Sequence, residues 1–315
     1  MAVFRSRHCC LQTQGGNLLR ASFIRVAITI LLLSAVVSAG LPAKADEASL
    51  VITRLQTGRE KLRNGRVKVR QTMNATRPGR EQSRSETEYF CAFDFDKGLH
   101  RFDYEVIGRP EFRGKIIRAP ENTMTLSPDG YLTIENAGKP SSFFYRPFDI
   151  RSIGLLDFIN LTYEEQKFCS IVQRYRTLAA EQGVAEDATI NHTRVTRLTF
   201  FADQNRQVRL SLFLDGARDF IPIRFEMQSV TNGQSSRPKF NSVVNVDWKV
   251  ASQVWVPAVM AFDEHCGSDV TNGELIFSWE SVNGPFDGTT FDAERLVKDR
   301  TKILDRRRPV QIPRV

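Results

Sequence analysis

From Glu86 onward this chain alternates. Tyr89, Cys91, Phe93 and Phe95 fall on one parity, Glu88, Asp94 and Asp96 on the other, and Lys97-Gly98 interrupts the run. Phe102, Tyr104 and Val106 then alternate with Arg101, Asp103 and Glu105. Successive side chains of a strand point to opposite faces, so period two marks half-buried strands. Two such runs across a short Gly-containing turn predict an antiparallel hairpin. A parallel sheet covered on both sides would show unbroken apolar runs with a helix after each strand. The pattern therefore asks for antiparallel sheet with one apolar face to hide.

The alternation recurs along most of the chain. Val67, Val69 and Gln71 oppose Lys68 and Arg70, and short strands are expected at 115–118, 123–126 and 131–134, punctuated by Pro120 and Pro128-Asp129-Gly130. Thr193–Phe201 is expected to pair with Gln207–Asp215, followed by a strand through Ile221, Ile223, Phe225 and Met227. Val243–Val250, Gln253–Phe262 and Glu274–Ser281 close the series. The runs predict about ten to twelve strands. Three stretches read instead as helices: 47–63, 148–160 and 164–176. In the first, Leu50, Val51, Leu55 and Leu62 form the apolar stripe, with Arg54, Arg59, Glu60, Lys61 and Arg63 on the surface. Thr162 with Glu165 fits a capping box for the last. Residues 180–190 read as a polar loop. The fold class is mostly β with helices (α+β), a curved antiparallel sheet or incomplete β-barrel closed by helices.

The ends carry a different message. Arg5, Arg7, Arg20 and Arg25 precede an unbroken apolar run from Val26 to Val37, and Ala43-Lys44-Ala45 offers an A-x-A cleavage site before Asp46. These features read as a secretory signal removed after Ala45, and hence as a periplasmic or secreted protein. The long basic segment ahead of the apolar run leaves an uncleaved N-terminal anchor as the alternative. Losing residues 1–45 lowers the formal net charge from +8 to +3, and residues 295–315 alone carry eight basic and two acidic side chains. The domain body, 46–294, is thus slightly acidic, and a general affinity for nucleic acid loses its basis. Arg306, Arg307 and Arg308 in the basic C-terminal tail suit contact with an anionic membrane surface. Cys91, Cys169 and Cys266 remain in the exported chain, so at most one internal disulfide can form.

Motifs for chemistry are sparse. There is no H-E-x-x-H, G-x-S-x-G, phosphate loop or paired C-x-x-C. Asp263-Glu264-His265-Cys266, expected as a strand-end loop, has the residue types of a zinc or Cys/His site. Neighbours on an extended strand point apart, however, so His265 is poorly placed to activate Cys266. Asp94 and Asp96 share a strand face about 7 Å apart, a spacing that glycosidase carboxylates can have, but read more simply as solvent-facing acids. No cofactor, metal or enzymatic activity is expected.

The order of elements narrows the reading. A strand ends near Gln71, and a long meander with helices inserted midway follows. Then come Leu212-Phe213-Leu214-Asp215, Ile221-Pro222-Ile223-Arg224-Phe225-Glu226, Asn245-Val246-Asp247-Trp248, Val254-Trp255-Val256-Pro257 and Asn283-Gly284-Pro285-Phe286. Over about residues 47–294 this resembles the superfamily of the periplasmic lipoprotein carrier LolA, and no functional residue of that carrier maps onto a position here. The resemblance implies an incomplete β-barrel with an apolar cavity between sheet and helices, suited to an acyl chain. The chain holds 22 Phe against six Tyr and three Trp. Phe93, Phe95, Phe102, Tyr104, Phe225, Trp248 and Phe277 lie on the expected inner faces and are the candidates to line such a cavity. The expected activity is uptake of a hydrophobic ligand, a lipid or lipoprotein acyl chains. The alternative is a cell-envelope protein-interaction or sensor module whose core these rings simply fill.

Overall fold

Fourteen strands form one sheet in the computed structural model, which describes residues 42–127, 129–136, 148–156, 167–202, 206–230, 240–287, 289–292, 295 and 302–306. In chain order, helix α1 (Pro42–Glu60) leads into β1 (Asn64–Thr76), β2 (Ser83–Asp94), β3 (Leu99–Val106), β4 (Arg109–Arg118), β5 (Asn122–Leu126) and β6 (Tyr131–Asn136). A 3₁₀ turn (Ile150–Ser152) and helix α2 (Phe168–Gln182) follow. The chain resumes with β7 (Val184–Ile190), β8 (Thr193–Phe201), β9 (Val208–Asp215), a 3₁₀ turn (Gly216–Arg218) and β10 (Ile221–Ser229). It closes with β11 (Phe240–Ala251), β12 (Val254–Cys266), β13 (Asp269–Val282) and β14 (Lys302–Asp305).

The strand order is β14-β6-β5-β4-β3-β2-β1-β13-β12-β11-β10-β9-β8-β7. It is two meanders zipped together by one non-local pair. β1 lies between β2 and β13, with Val69 opposite Tyr89 on one side and Phe277 on the other. The sheet is curved and not closed, and every pairing is antiparallel except β14 with β6. Tight turns hold the register. Asn191-His192 joins β7 to β8 and Ser252-Gln253 joins β11 to β12, all four residues at positive φ, as two-residue hairpin loops of the I′ kind require.

The inner face follows the predicted parity. Val67, Val69, Tyr89, Cys91, Phe93, Phe102 and Tyr104 are buried, whereas Lys68, Arg70, Glu88 and Glu105 are exposed. Helix α1 covers that face with Ala48, Val51, Ile52, Leu55 and Arg59, a stripe at helical spacing that continues to Leu62 beyond its end. Two assignments on this helix change. Leu50 is exposed, and Arg59, expected on the surface, is fully buried.

Other expectations change as well. The sheet has more strands than the ten to twelve expected. Two additions explain most of this: 184–190 is an edge strand rather than a loop, and part of the C-terminal tail is β14. Both had been hidden by their polarity, because an edge strand with solvent on both faces shows little apolar alternation. Of the helix expected at 148–160, residues 150–152 form a 3₁₀ turn and 157–160 lie outside the described residues. Helix α2 begins at Phe168, and the expected capping box at Thr162 and Glu165 also lies outside the described residues. The cap comes from afar: the Asp149 carboxylate accepts from Phe168 N at 3.2 Å and also from Arg151 N at 3.0 Å. Residues 263–266 belong to β12, so they are not a loop. Residues 1–41 of the expected signal lie outside the described residues, and its cleavage site, Ala43-Lys44-Ala45, falls in the first turn of α1. Among the described residues no helix is long and apolar enough to cross a membrane.

Candidate functional site

All seven candidate aromatics lie in or against one apolar core. Phe93, Phe102, Tyr104, Phe225, Trp248 and Phe277 are buried in it, and Phe95, half buried, packs on it. The fold places them in two neighbourhoods. β2 and β3 bring Phe93, Phe95 and Phe102 together. β11 holds Trp248 elsewhere, where it meets α1, and Phe225 and Phe277 fill the sheet between flanking strands.

The first neighbourhood is an aromatic nest. Phe102 stacks obliquely on Tyr89 at 5.2 Å and edge-on to Phe148 at 5.2 Å between ring centroids. Phe93 lies 4.7 Å from Phe95, which meets the His100 ring at 5.3 Å. Such contacts are worth about 0.5–1.5 kcal/mol each beyond their area. The rings surround a void of about 10 Å³, lined by Cys91, Phe93, Phe95, His100, Phe102, Phe148 and Ile150 among others. That volume is at the lower limit for one water molecule. Phe148 and Ile150 come from the irregular segment before α2. They roof the nest, and no periodic pattern in the sequence pointed to them.

Charge sits beside the rings. Asp149 is buried and pairs with Arg151 at 2.9 Å, while the Arg151 guanidinium lies 3.5 Å from the Phe95 centroid. Burial alone would raise the Asp149 pKa, but the Arg151 charge and hydrogen bonds hold it below the usual carboxylate value. Burial lowers the pKa of His100 from 6.5 to about 4, with Asp149 opposing and Arg151 assisting, so the nest holds a neutral imidazole at pH 7. Burial pushes the Cys91 thiol well up, away from the reactive thiolate.

The second neighbourhood is a latch. Arg59 of α1 donates from Nη2 to Ile150 O at 3.0 Å, from Nε to Arg151 O at 3.1 Å and from Nη1 to Trp255 O at 3.3 Å. Its guanidinium lies 4.4 Å from the Trp248 ring centroid, and that indole donates to Pro222 O at 2.8 Å. One side chain thus ties the helix, the 3₁₀ turn and β12 together. Gly58 allows this approach, since a Cβ there would lie 2.3 Å from the backbone oxygen of Asp219.

The remaining candidates are dispersed. Asp263 meets His265 at 3.2 Å on one face of β12, while Glu264 turns to the other, where it is largely buried. Asp94 is buried rather than solvent-facing: its carboxylate caps Lys97 N at 3.2 Å, and Asp96 pairs separately with Arg63 at 2.6 Å. Among the described residues no group of three or more His, Cys, Asp or Glu is placed to hold a metal ion. Cys91, Cys169 and Cys266 are not bonded to one another. Arg306 contacts Glu135 at 3.5 Å, and Arg307 and Arg308 lie outside the described residues. A surface groove of about 430 Å³ between Asp94, Lys97, Leu99, Phe286, Asp287, Phe291 and Asp292 is a second concavity, one that no motif or periodicity predicts.

No protein-family model and no curated protein matches this chain. Solved structures do. Its structural neighbours are DUF1329 and LolA-superfamily proteins. A DUF1329 family protein from Desulfovibrio piger ATCC 29098 is similar over 80% of this chain and 99% of its own, with 8% identity and a TM-score of 0.46. A putative outer membrane lipoprotein-sorting protein domain from Vibrio parahaemolyticus matches 79% of this chain and 99% of its own, at 14% identity and a TM-score of 0.46. The LolA superfamily protein NE2245 from Nitrosomonas europaea matches 77% and 97%, at 10% identity and a TM-score of 0.42.

Proposed function

We propose that this is an exported binding protein that takes a hydrophobic ligand, a lipid or the acyl chains of a lipoprotein, between the concave sheet face and its helices, without covalent chemistry. The aromatic nest supports this reading best. It is a continuous apolar wall of Tyr89, Phe93, Phe95 and Phe102 roofed by Phe148, a ring from an irregular segment. The void at its centre is too small for a chain, so uptake lifts the roof. Freeing one half-buried phenylalanine costs about 1–1.5 kcal/mol, half the value for a fully buried ring, which about two ligand methylenes offset at about 0.8 kcal/mol each. Release then needs a competing acceptor or a reopened roof. The chain would act in the periplasm or outside the cell after cleavage at Ala45, with Arg306–Arg308 approaching an anionic surface.

The size of the void, about 10 Å³, favours a second reading: an envelope interaction or sensor module with the same fold and a filled core. Phe102→Asp separates the two. In a wall that opens, the new carboxylate reaches water, so circular dichroism stays native while binding of a fluorescent fatty acid is lost. In a permanently closed core the same change unfolds the protein, and the wild-type chain never binds the probe.

A further inference from the structure

The two edges of the sheet are protected by different means. The outer strand β7, Val-Ala-Glu-Asp-Ala-Thr-Ile, carries charge along its exposed side, with Glu186 paired to Arg197 and Asp187 to Arg194. Charged side chains on an edge strand discourage pairing with another chain. β6, Tyr-Leu-Thr-Ile-Glu-Asn, is β-branched and aromatic with a single charge, and by itself would be an open template. It is covered instead by β14, a parallel strand of four residues.

The cover is lightly held. Lys302 N donates to Gly130 O at 3.1 Å and Arg306 N to Ile134 O at 2.9 Å. Side-chain ties include a surface ion pair from Arg306 to Glu135 and the Lys302 ammonium, which lies 5.3 Å from the Tyr131 ring centroid and donates to the Tyr131 hydroxyl at 3.4 Å. The two apolar side chains bury little: Ile303 is 59% and Leu304 44% exposed. An element with few buried apolar contacts opens locally far more easily than the core. In sequence, residues 293–301 separate it from Asp292, a tether that spans at most about 30 Å when extended.

We propose that the β6 edge is a strand-exchange site, at which β14 of a second copy of this chain replaces the resident strand. A second copy is the occupant because its strand reproduces every contact seen within the chain: the register from Lys302 opposite Tyr131 to Asp305 opposite Ile134, the cation on the tyrosine, and the pair with Glu135. Exchange forms the same bonds between copies as within one, so only the tether and the association entropy set the balance, and concentration shifts it.

Thr133 and Leu304 face each other across the pair and provide the test. In a Cys169→Ser, Cys266→Ser background, Thr133→Cys and Leu304→Cys are made together in one chain and separately in two. Adjacent strands lie about 4.8 Å apart, within disulfide reach. Mild oxidation of the double variant at low concentration is expected to close the bond within the chain. A mixture of the two single variants is expected to give a covalent heterodimer that increases with protein concentration. A mixture that stays monomeric while the double variant cross-links overturns the proposal, and so does a double variant that fails to cross-link, since the register would then be wrong.

Discussion

A buried guanidinium reaches three backbone carbonyls and an indole; beside it, across the shared segment 148–151, aromatic rings meet around a small void under a roof of irregular chain. The two neighbourhoods share residues 148–151, yet they resist opening differently. The latch is held by three directional, charge-assisted bonds from one side chain. The nest is held by ring packing, which a ligand's own methylenes can replace. A binding protein of this shape would keep α1 in place through Arg59 and give way at Phe148.

The comparison can be broken most forcefully at the latch. Arg59→Met keeps much of the volume but removes three charge-assisted hydrogen bonds and the cation beside the Trp248 ring, and is expected to destabilise the fold by about 3–5 kcal/mol in denaturant unfolding. A loss below about 1 kcal/mol would mean that α1 is held by its apolar stripe alone. The nest should yield to acid. Because the folded pKa of His100 is lowered from 6.5 to about 4, the unfolded chain binds the extra proton between those values. The stabilisation is complete above about pH 6.5 and is lost as pH falls toward 4, a change of about 3 kcal/mol. Below that window Asp149 acts in the same sense: its lowered folded pKa contributes stability that is lost as the carboxylate is protonated. Urea unfolding from pH 7 to pH 4 should show this slope, and His100→Asn should flatten it.

Two smaller changes sharpen the contrast. Gly58→Ala drives a Cβ to within 2.3 Å of the Asp219 backbone oxygen, so α1 must shift, at a cost of about 1–3 kcal/mol in thermal unfolding. An unaffected melting temperature would show that the approach of helix to turn is slack. Ile303→Ala, on the exposed face of β14, should change global stability by less than about 0.5 kcal/mol.

How much of this was legible follows from how each residue is held. Where a strand is covered on one side, parity revealed it: Val67 and Val69, Tyr89 to Phe93, and Phe102 with Tyr104 all point where their alternation put them. The edge strands were obscure because solvent on both faces removes the pattern. Arg59 is instructive, since it sits four residues after Leu55 and three before Leu62, on the buried stripe. Spacing alone marked it, but its charge argued otherwise until the carbonyls around it were known. Two of those three carbonyls belong to the segment with Asp149, Ile150 and Arg151, which has no period and whose position comes from tertiary contacts. For the same reason the seven candidate aromatics were legible as inward-facing, whereas the roof over the nest was not.

The most direct measurement is a native mass spectrum of the exported chain, purified without detergent, compared with its denatured mass before and after incubation with envelope lipids and a lipopeptide. Uptake through the nest predicts a stoichiometric, non-covalent mass addition that disappears on denaturation and weakens in Phe102→Asp. A protein mass unchanged by every lipid and lipopeptide would contradict it and leave the filled-core interaction module in its place.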